Sequence, residues 1–343
     1  MNSNFFKAIR SFLTVYLPTQ KCCSEHTIKA YREVLNSFVS FLQYQKNLKL
    51  KDISFSTIDN TTVTDFLDHL QYSKQISAAT RNHRLAVLRS FFKYAGAFDC
   101  SVFETRIALE SIPQQKGVSK TVEYLSENAL KCLLQQPSTQ RQTDYRNLVL
   151  MSLMYDSAAR CSEILNLKIK DLRLDEQNPT IYLFGKGEKM RIVPLMNVTA
   201  MHCRKYIEQF HPLQSRNPED YLFYTTIHGQ RNMMSPDNVA YFMNKYGKMA
   251  KRICDEIPDK VHPHQLRHTR AIHLYRNGMP LYLLSEFLGH SNSETTKIYA
   301  YADTEMKRKA IQRIEEKCKT TTDFEEPIWK DDGAMLRKLC GLM

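Results

Sequence analysis

A tyrosine close behind a cluster of basic side chains is the first feature of this sequence that could do chemistry. Tyr299 lies nine residues after His290, and His264 and Arg267 stand further upstream, three residues apart. A phenol keeps its proton to about pH 10, so a tyrosine attacks only an electrophile that cations have already polarised. Spacing of three puts an imidazole and a guanidinium on one helix face, and His264 with Arg267 can therefore provide such cations.

Two further cations come from segments much earlier in the sequence. Arg160 lies in the run Ala-Ala-Arg-Cys-Ser-Glu, and Lys186 lies in the run Gly-Lys-Gly-Glu-Lys. The β-rich stretches 180–184 and 190–195 flank the lysine run, which predicts a hairpin with Lys186 in its turn. The basic groups thus precede the tyrosine in the order arginine, lysine, histidine, arginine, histidine.

Six positions filled in this order resemble the catalytic set of the tyrosine recombinase (phage integrase) family: Arg160, Lys186, His264, Arg267, His290 and Tyr299. Neighbouring residues match as well, with Glu-Ile-Leu at 163–165, Arg-Ile-Val-Pro-Leu at 191–195 and Leu-Arg-His-Thr at 266–269. One short motif would be weak support, whereas six in order form a specific signal. The resemblance covers residues 123–316 well and the N-terminal region more loosely.

The resemblance implies a phosphate-binding role for four of these residues. Arg160 and Arg267 present planar N–H donors to the two non-bridging oxygens of a scissile phosphate, where negative charge accumulates as the phosphorus becomes pentacoordinate. His290 adds a further hydrogen bond there. His264 either helps the tyrosine to lose its proton or positions the phosphate.

The resemblance also implies how the strand is cut and rejoined. Tyr299 attacks in line, forms a phosphotyrosine and expels the 5′ oxygen of the next nucleotide, to which Lys186 donates a proton as general acid. The phosphotyrosine stores the energy of the broken diester, so religation requires no ATP. Because the protein's own cations neutralise the phosphate, we expect no cofactor and no metal ion.

Several residues have competing interpretations. Tyr301 is a rival nucleophile, but the spacing from the upstream histidine favours Tyr299. Lys189 competes with Lys186 for the general-acid role in the same turn, and the family pattern favours Lys186. Glu163 either orients the neighbouring arginine or caps local structure. The sequence alone leaves both interpretations of Glu163 open.

Four clustered histidines raise the possibility of a metal site: His262, His264, His268 and His273. The glutamate of a His-Glu-x-x-His motif is absent and no cysteine joins the cluster, so we expect no metal there. His268 is expected instead to fix local packing through hydrogen bonds.

Composition agrees with a DNA-binding enzyme. The 343 residues carry 48 Lys and Arg against 36 Asp and Glu, a net charge of +12, which favours a polyanionic partner but is also compatible with a merely basic protein. Nine cysteines without paired metal-type spacing fit a reducing compartment. No apolar run is long enough to span a membrane and no secretion signal is evident, so we expect a cytoplasmic protein without a membrane partner.

The predicted fold is mainly α with two domains. A Pro- and Gly-containing stretch at 113–122 reads as a linker. Before it, residues 1–112 are predicted to be all helical, with Ser24 capping a helix through Leu42 and a second helix over 80–92. The resemblance implies that this is a SAM-like domain that binds DNA core sites. Residues 123–317 form the α+β catalytic domain with a small antiparallel sheet. Residues 318–343 form a tail, including Trp329 and a short helix over 335–342, that docks on the same chain or on a neighbouring protomer.

Five further basic residues are candidates for contacts with DNA phosphates: Arg81, Arg84, Arg89, Lys189 and Arg191. For each of those in the first domain, a solvated helix face is the competing interpretation. One departure from the family pattern stands beside the first catalytic arginine, where Ala158 and Ala159 replace the usual glycine and large apolar residue. We expect a small change in the geometry of that turn.

The resemblance implies a site-specific recombinase or integrase that works through a 3′-phosphotyrosine and a Holliday junction. The run His-x-Leu-Arg-His-Thr-Arg-Ala favours the integrases of mobile elements over chromosome-dimer resolvases. The expected partners are double-stranded DNA core sites, three further protomers in a tetramer on two sites, and companion recombinases. A type IB topoisomerase and a catalytically silent DNA-binding accessory protein are the alternatives.

Overall fold

The computed structural model of the chain describes residues 4–117, 122–174, 177–185, 189–290, 292, 294–302, 308, 311–312 and 332–342. The chain divides into two compact units, Met1–Lys120 and Thr121–Met343. The boundary between them falls inside the stretch 113–122 that the sequence marks as a linker. Within the described residues, no helix is long and apolar enough to cross a bilayer.

The first unit is built from helices, and residues 4–117 contain no strand. Its α-helices are α1 (Asn4–Ser11), α2 (Glu25–Tyr44), α3 (Asn60–Asp68), α4 (Ala78–Ala95) and α5 (Phe103–Ser111). Phe12–Gln20 and His69–Ser73 are π-helical, and Leu50–Asp52, Phe55–Thr57 and Cys100–Val102 are short 3₁₀ turns. The prediction of an all-helical first domain is confirmed.

The two long helices of this unit begin where the sequence places their caps. Ser24 accepts a hydrogen bond from the backbone N–H of Thr27 at the start of α2, and Ser77 accepts one from Thr80 at the start of α4. Such caps satisfy backbone donors that have no partner inside the helix. Phe38 of α2 is fully buried in the core of this unit, where aromatic rings pack edge to face.

The second unit is α+β, as the sequence predicts. Its helices are α6 (Glu127–Leu134), α7 (Gln142–Ser157), α8 (Cys161–Leu165), α9 (Asn197–Phe210), α10 (Pro236–Lys251), α11 (Pro263–Arg276), α12 (Leu281–Leu288), α13 (Glu294–Ala302) and α14 (Gly333–Leu339). Its strands are β1 (Leu172–Arg173), β2 (Thr180–Phe184), β3 (Met190–Pro194), β4 (Tyr224–Ile227) and β5 (Gln230–Met233). Ile169–Asp171 and Leu213–Ser215 are 3₁₀ turns.

The strands form two small antiparallel sheets. In the first, the order is β1-β2-β3, and Ile181 pairs with Val193 while Phe184 pairs with Met190. This is the hairpin predicted around the lysine run. The second sheet is a hairpin of β4 and β5 that the sequence analysis did not predict. Its turn residues His228 and Gly229 both have positive φ, 50° and 78°, as a tight two-residue hairpin turn requires.

Helix α7 lies in the middle of the second core. Val149, Leu150, Leu153 and Met154 are all fully buried, and α7 packs against α9 on one side and α11 on another. A helix that is apolar on several faces is expected to be enclosed on those faces. The end of α7 is therefore a fixed point from which the first catalytic candidate, Arg160, can be held.

Two residues with positive φ shape the turns beside the candidate catalytic groups. Ala158 ends α7 in the left-handed conformation, at φ 47° and ψ 28°, so alanine makes the turn where glycine is usual, at a cost of about 1 kcal/mol. Gly289 ends α12 at φ 64°, and a Cβ there would lie 3.0 Å from Arg191 Nη1. At the end of α11, Gly278 follows the cap residue Asn277 with φ 92°, so a glycine in the left-handed region ends this helix as well.

Candidate active site

Glu163 holds two arginines together at the start of α8. The backbone N–H of Arg160 donates to Glu163 Oε2 and its Nη1 donates to Oε1, both at 2.8 Å. Arg191 on β3 donates from Nη2 to Oε2 at 2.7 Å and from Nη1 to Oε1 at 3.1 Å. Burial opposes the ionisation of Glu163, but these bonds from Arg191 and Arg160 together hold its pKa below the usual value. Glu163 therefore both orients Arg160 and caps the helix, so the two interpretations of its role are true together.

The guanidinium of Arg191 forms hydrogen bonds with other parts of the protein. Besides its two bonds to Glu163, its Nε donates to the backbone carbonyl of Phe287 at 3.2 Å, and the side chain is only 11% exposed. The sequence predicts a contact with a DNA phosphate for this residue. Arg191 ties β3 to α8 and to the end of α12, and it supplies the cationic partner that a buried carboxylate requires. It also lines an open groove beside Arg160, and its contact with a DNA phosphate stays a prediction.

Arg267 is buried on α11 and is held from two sides. Its Nη1 donates to the carbonyl of Ala158 and its Nη2 donates to the carbonyl of Leu288, both at 2.7 Å. Burial, with the charge of the nearby Arg160 acting in the same direction and Glu163 acting against it, lowers the pKa of Arg267 to about 10. A guanidinium has five N–H donors, so Arg267 still has donors left for a phosphate while its position is fixed.

His290 follows the αL cap of α12 and contacts the next helix. Its Nδ1 lies 2.9 Å from Thr296 Oγ1 on α13. Burial, with the neighbouring charges of Arg267 and Arg160, lowers the pKa of His290 to about 4, so the ring is neutral at pH 7. If the threonine hydroxyl donates to Nδ1, the single ring proton is on Nε2, which leaves Nε2 as a donor for a substrate oxygen.

The candidate nucleophile, Tyr299, is buried in this structure. Its side chain is 1% exposed, and its hydroxyl lies 2.9 Å from Nδ1 of His268. Burial raises the pKa of Tyr299, and the charges of Arg267 and Arg160 act in the opposite direction. Burial and the nearby His264 lower the pKa of His268 to about 4, so its neutral ring can accept the phenolic proton in a hydrogen bond. The prediction that His268 hydrogen-bonds locally is confirmed, but its partner was not foreseen.

His264 also lies close enough to Arg160 and Arg267 for their charges to affect its pKa. Burial lowers its pKa, and His262, Arg267 and Arg160 lower it further. Of the two roles that the sequence leaves open for His264, contact with the tyrosine hydroxyl is made here by His268. The positioning of a phosphate therefore becomes the better-supported role for His264.

An open groove of about 900 Å³ runs alongside these residues. Arg160, Lys189, Arg191 and His290 line it together with apolar side chains of β3 and α12. The side chain of Arg160 is 36% exposed, so its guanidinium is accessible there. Lys186 lies outside the described residues, but the strands on either side of its turn are placed, and Lys189 lies at the groove. The structure thus brings together Arg160, His290 and the ends of the lysine hairpin.

Similarity to known proteins agrees with this geometry. A family model described as the phage integrase family matches residues 123–306, more than half of the chain, and a second, described as the N-terminal SAM-like domain of phage integrases, matches residues 9–97. The chain belongs to the phage integrase family. Tyrosine recombinase XerC from Staphylococcus carnosus is 30% identical over 303 residues, which cover 88% of this chain and 95% of that relative. The chain is therefore a tyrosine-type site-specific recombinase.

Solved structures of recombinases share the fold. The XerH site-specific recombinase bound to palindromic difH substrate covers 88% of this chain and 81% of its own, with 24% identity and a TM-score of 0.63. The Tn1549 transposon integrase in complex with circular intermediate DNA covers 89% of this chain and 99% of its own, with 16% identity and a TM-score of 0.66. At these identities the likeness concerns the fold.

In the recombinase's first unit, the three predicted DNA-contacting arginines differ in their surroundings. Arg89 donates from Nε to the carbonyl of Leu109 at 2.8 Å and from Nη2 to the carbonyl of Glu110 at 3.1 Å, so it holds the end of α5. This is a structural use, and a phosphate contact by Arg89 stays a prediction. Arg81 is only 6% exposed, and its Nε and that of Arg84 are buried without a hydrogen-bond partner among the described residues. Phosphate contacts by Arg81 and Arg84 stay predictions.

Two of the four histidines that suggest a metal site, His268 and His273, take part in hydrogen bonds within the recombinase. His273 Nδ1 lies 3.0 Å from the hydroxyl of Tyr155, and its Nε2 lies 3.1 Å from the carbonyl of Leu125. The described part of the chain contains no group of three or more His, Cys, Asp or Glu side chains arranged to hold a metal ion.

The contact between His268 and Tyr299 should contribute measurably to the stability of the recombinase. In a double-mutant cycle of His268→Leu and Tyr299→Phe, we expect a coupling of about 0.5–1.5 kcal/mol in urea denaturation, because either single change leaves a buried polar group without its partner. The matched control pairs His268→Leu with Tyr282→Phe, whose ring is 71% exposed. That pair should be additive. Additivity in both cycles would show that the contact contributes nothing to the folded state.

Proposed function

We propose that this recombinase cuts and rejoins DNA through a 3′-phosphotyrosine on Tyr299 and a Holliday junction, and that it moves or integrates a mobile genetic element. The observation that carries the chemistry is the convergence of Arg160, Arg267 and His290 beside the buried phenol of Tyr299. The transposon integrase among the proteins of the same fold, and the Arg-His-Thr-Arg-Ala run at 267–271, support the mobile-element role.

The phosphate is bound before it is attacked. Arg160 offers an exposed guanidinium, Arg267 keeps unused N–H donors while its carbonyl contacts fix it, and His290 offers Nε2. These donors surround the non-bridging oxygens, whose charge grows as phosphorus becomes pentacoordinate. His264 helps to position the phosphate. Protein cations thus occupy the role that Mg²⁺ has in many other phosphoryl transfers.

The bond changes then balance without a further reagent. The oxygen of Tyr299 forms a bond to phosphorus as the bond to the 5′ oxygen breaks, and Lys186 gives a proton to that leaving oxygen. The phenolic proton passes to a neighbouring base, and His268 is the imidazole that already contacts the hydroxyl. Religation reverses each step, with the 5′ hydroxyl of another strand as the nucleophile.

Cleavage requires a change in the position of the nucleophile. Tyr299 is 1% exposed, and α13 is held by two imidazole contacts on one face, His290 with Thr296 and His268 with Tyr299. A phosphate on a duplex cannot reach a phenol that is enclosed in this way. We therefore propose that binding to the DNA site, or to another protomer, shifts α13 and releases the phenol.

The proposed active assembly is a tetramer on two DNA sites. Each chain has one Tyr299 and can hold one strand end, whereas exchange between two duplexes cuts four strands. The C-terminal tail offers an apolar surface for assembly, since Leu336, Leu339 and Leu342 are exposed on and after α14. We propose that this tail docks on its own chain or on a neighbour. Trp329 lies outside the described residues. Companion recombinases can provide some of the four protomers.

Strand exchange in excess EDTA and without nucleotide tests this proposal. The full-length protein should recombine two copies of the native element's ends under these conditions, since no step uses a metal ion or ATP. On a synthetic Holliday junction it should sediment as four protomers. Inhibition by EDTA that Mg²⁺ restores would contradict the mechanism. An active monomer that relaxes a plasmid lacking any target site would favour a type IB topoisomerase instead.

A further inference from the structure

A buried ion pair lies behind the candidate catalytic residues, where three segments of the second unit meet. Asp156, in the last turn of α7, is 0% exposed, and its Oδ1 accepts a hydrogen bond from Arg270 Nη2 at 2.9 Å. The backbone carbonyl of Asp156 accepts a second bond from Arg270 Nε at 3.1 Å. Its Oδ2 accepts a bond from the backbone N–H of Met196 at 2.7 Å. One carboxylate thus joins α7, α11 and the segment after β3.

Each of these three segments contains or is connected through the chain to one of the groups proposed to bind or protonate the phosphate: Arg160 follows α7, Arg267 lies on α11, and Lys186 precedes β3. Arg270 follows Arg267 by three residues on α11, and the two arginines donate to backbone carbonyls at Asp156 and Ala158. Those carbonyls belong to the turn that leads directly into Arg160. Helix α11 is therefore hydrogen-bonded to this turn at two carbonyls that lie just before Arg160.

The third segment belongs to the lysine hairpin. Met196 lies two residues after the end of β3, the strand that returns from the turn containing Lys186. A hydrogen bond from its backbone N–H to a buried carboxylate fixes the base of that hairpin against α7. The turn itself lies outside the described residues, but the strand that leads away from it is anchored at Asp156.

The energetics of this pair favour a role in geometry over a role in stability. Withdrawing two charges from water costs several kcal/mol, and a buried ion pair is often no more stabilising than well-packed apolar side chains of the same size. Burial raises the pKa of Asp156, while the Met196 amide and Arg270 act against that rise. Hydrogen bonds to fixed backbone atoms are directional, whereas apolar contacts can slide. The pair therefore holds a particular arrangement of three segments.

We propose that Asp156 and Arg270 are positioning residues for strand cleavage, which set the distance between Arg160, Arg267 and the lysine hairpin without touching DNA. The inference rests on the proposed function of these groups. A misplacement of about 1 Å in a catalytic group can slow a reaction about 100-fold while leaving binding intact. The pair should accordingly affect the rate of cleavage and leave DNA affinity unchanged.

Single-turnover cleavage of a suicide DNA substrate by the full-length protein tests the proposal. Asp156→Asn keeps the shape and the acceptor oxygen but removes the charge, and we expect cleavage to slow about 10- to 100-fold with Kd for the site within about threefold. A 5′-bridging phosphorothiolate, whose sulfur leaves without a proton, should restore part of that rate because the anchored hairpin carries the general acid. A loss of fold alone would reduce both substrates equally.

A second variant keeps the test decisive if Asp156→Asn folds poorly. Arg270→Lys retains the positive charge but loses the pair of hydrogen bonds that the guanidinium makes. This variant should fold, and its cleavage rate should lie between those of the wild type and Arg270→Gln. The matched control is Glu219→Gln, an exposed carboxylate paired with Lys168 at 2.8 Å, which should cleave at the wild-type rate.

The possible outcomes separate this inference from the function on which it rests. If the wild type forms the covalent adduct and both Asp156→Asn and Arg270→Lys cleave at its rate, or slow equally on the two substrates, the positioning role is wrong. If the wild type and Glu219→Gln form no adduct on their native site, the proposed function itself fails.

Discussion

Replacing Tyr299 with phenylalanine should abolish the covalent attachment of this protein to DNA. The change removes one oxygen and keeps the ring, so the packing of α13 and the basic groove are preserved. We expect adduct on a suicide substrate to fall by at least about a thousandfold in a denaturing gel, because no other group takes the place of the nucleophile. DNA affinity should change little, since the phenol is buried and makes its contact with His268.

Tyr301→Phe is the matched control for this experiment. It stands two residues later on the same helix, and the placement of its side chain lies outside what the structure describes. This variant should form adduct as the wild type does. If adduct persists in Tyr299→Phe and disappears in Tyr301→Phe, the assignment of the nucleophile is wrong. Loss in both variants would point to damage to α13 and would require comparison of their thermal unfolding.

Local features of this fold could be predicted from the sequence because their causes are local. The hairpin of β2 and β3 follows from two short β-rich runs around a Gly-Lys-Gly turn, and the start of α6 follows from Ser126, whose side chain accepts from the N–H of Ala129. Gly289 is a predictable cap because few residues adopt φ 64° without strain. Six residues in order identify the family because the chemistry restricts the residue types and a shared fold restricts their order along the chain.

Contacts between distant segments could not be predicted, since they depend on how the helices pack. The bond between His268 and Tyr299 joins residues 31 apart, and that between Asp156 and Arg270 joins residues 114 apart. The position of Arg191 beside the lysine turn predicts a contact with a DNA phosphate. The neighbouring sequence does not indicate that Arg191 also forms hydrogen bonds with the buried Glu163. The sequence shows which side chains are charged, but the packing of the helices determines which of these charges are already paired within the protein.

The second hairpin was missed for a different reason. Strands β4 and β5 lack an alternation of buried and exposed residues, and every residue of β5 is exposed. Without one buried face, a strand has no period-two signal in the sequence. The local mark is the pair His228 and Gly229 at its turn, and His-Gly is a weaker hairpin signal than the Asn-Gly or Asp-Gly pairs that such turns favour.

Lys186→Ala should slow cleavage of an ordinary phosphodiester by about 10²–10⁴-fold, because the 5′ oxygen then leaves without a proton from its general acid. On a substrate with sulfur at the 5′-bridging position, the same variant should lose far less, since a thiolate leaves readily without protonation. Single-turnover rates on both substrates measure this difference. The structure supports the comparison through the hairpin that carries the residue, whose strands are placed and whose second strand is tied to α8 by Arg191 and Glu163.

Lys189→Ala is the control that decides which lysine donates the proton. Lys189 follows Lys186 by three residues and lines the groove. If it acts through contact with a phosphate, its loss should weaken binding and slow both substrates alike. Rescue by sulfur in Lys189→Ala, and equal loss on both substrates in Lys186→Ala, would transfer the general-acid role to Lys189. Rescue confined to Lys186→Ala would instead leave Lys189 to bind DNA, because only a group that protonates the leaving oxygen becomes dispensable when that atom is sulfur.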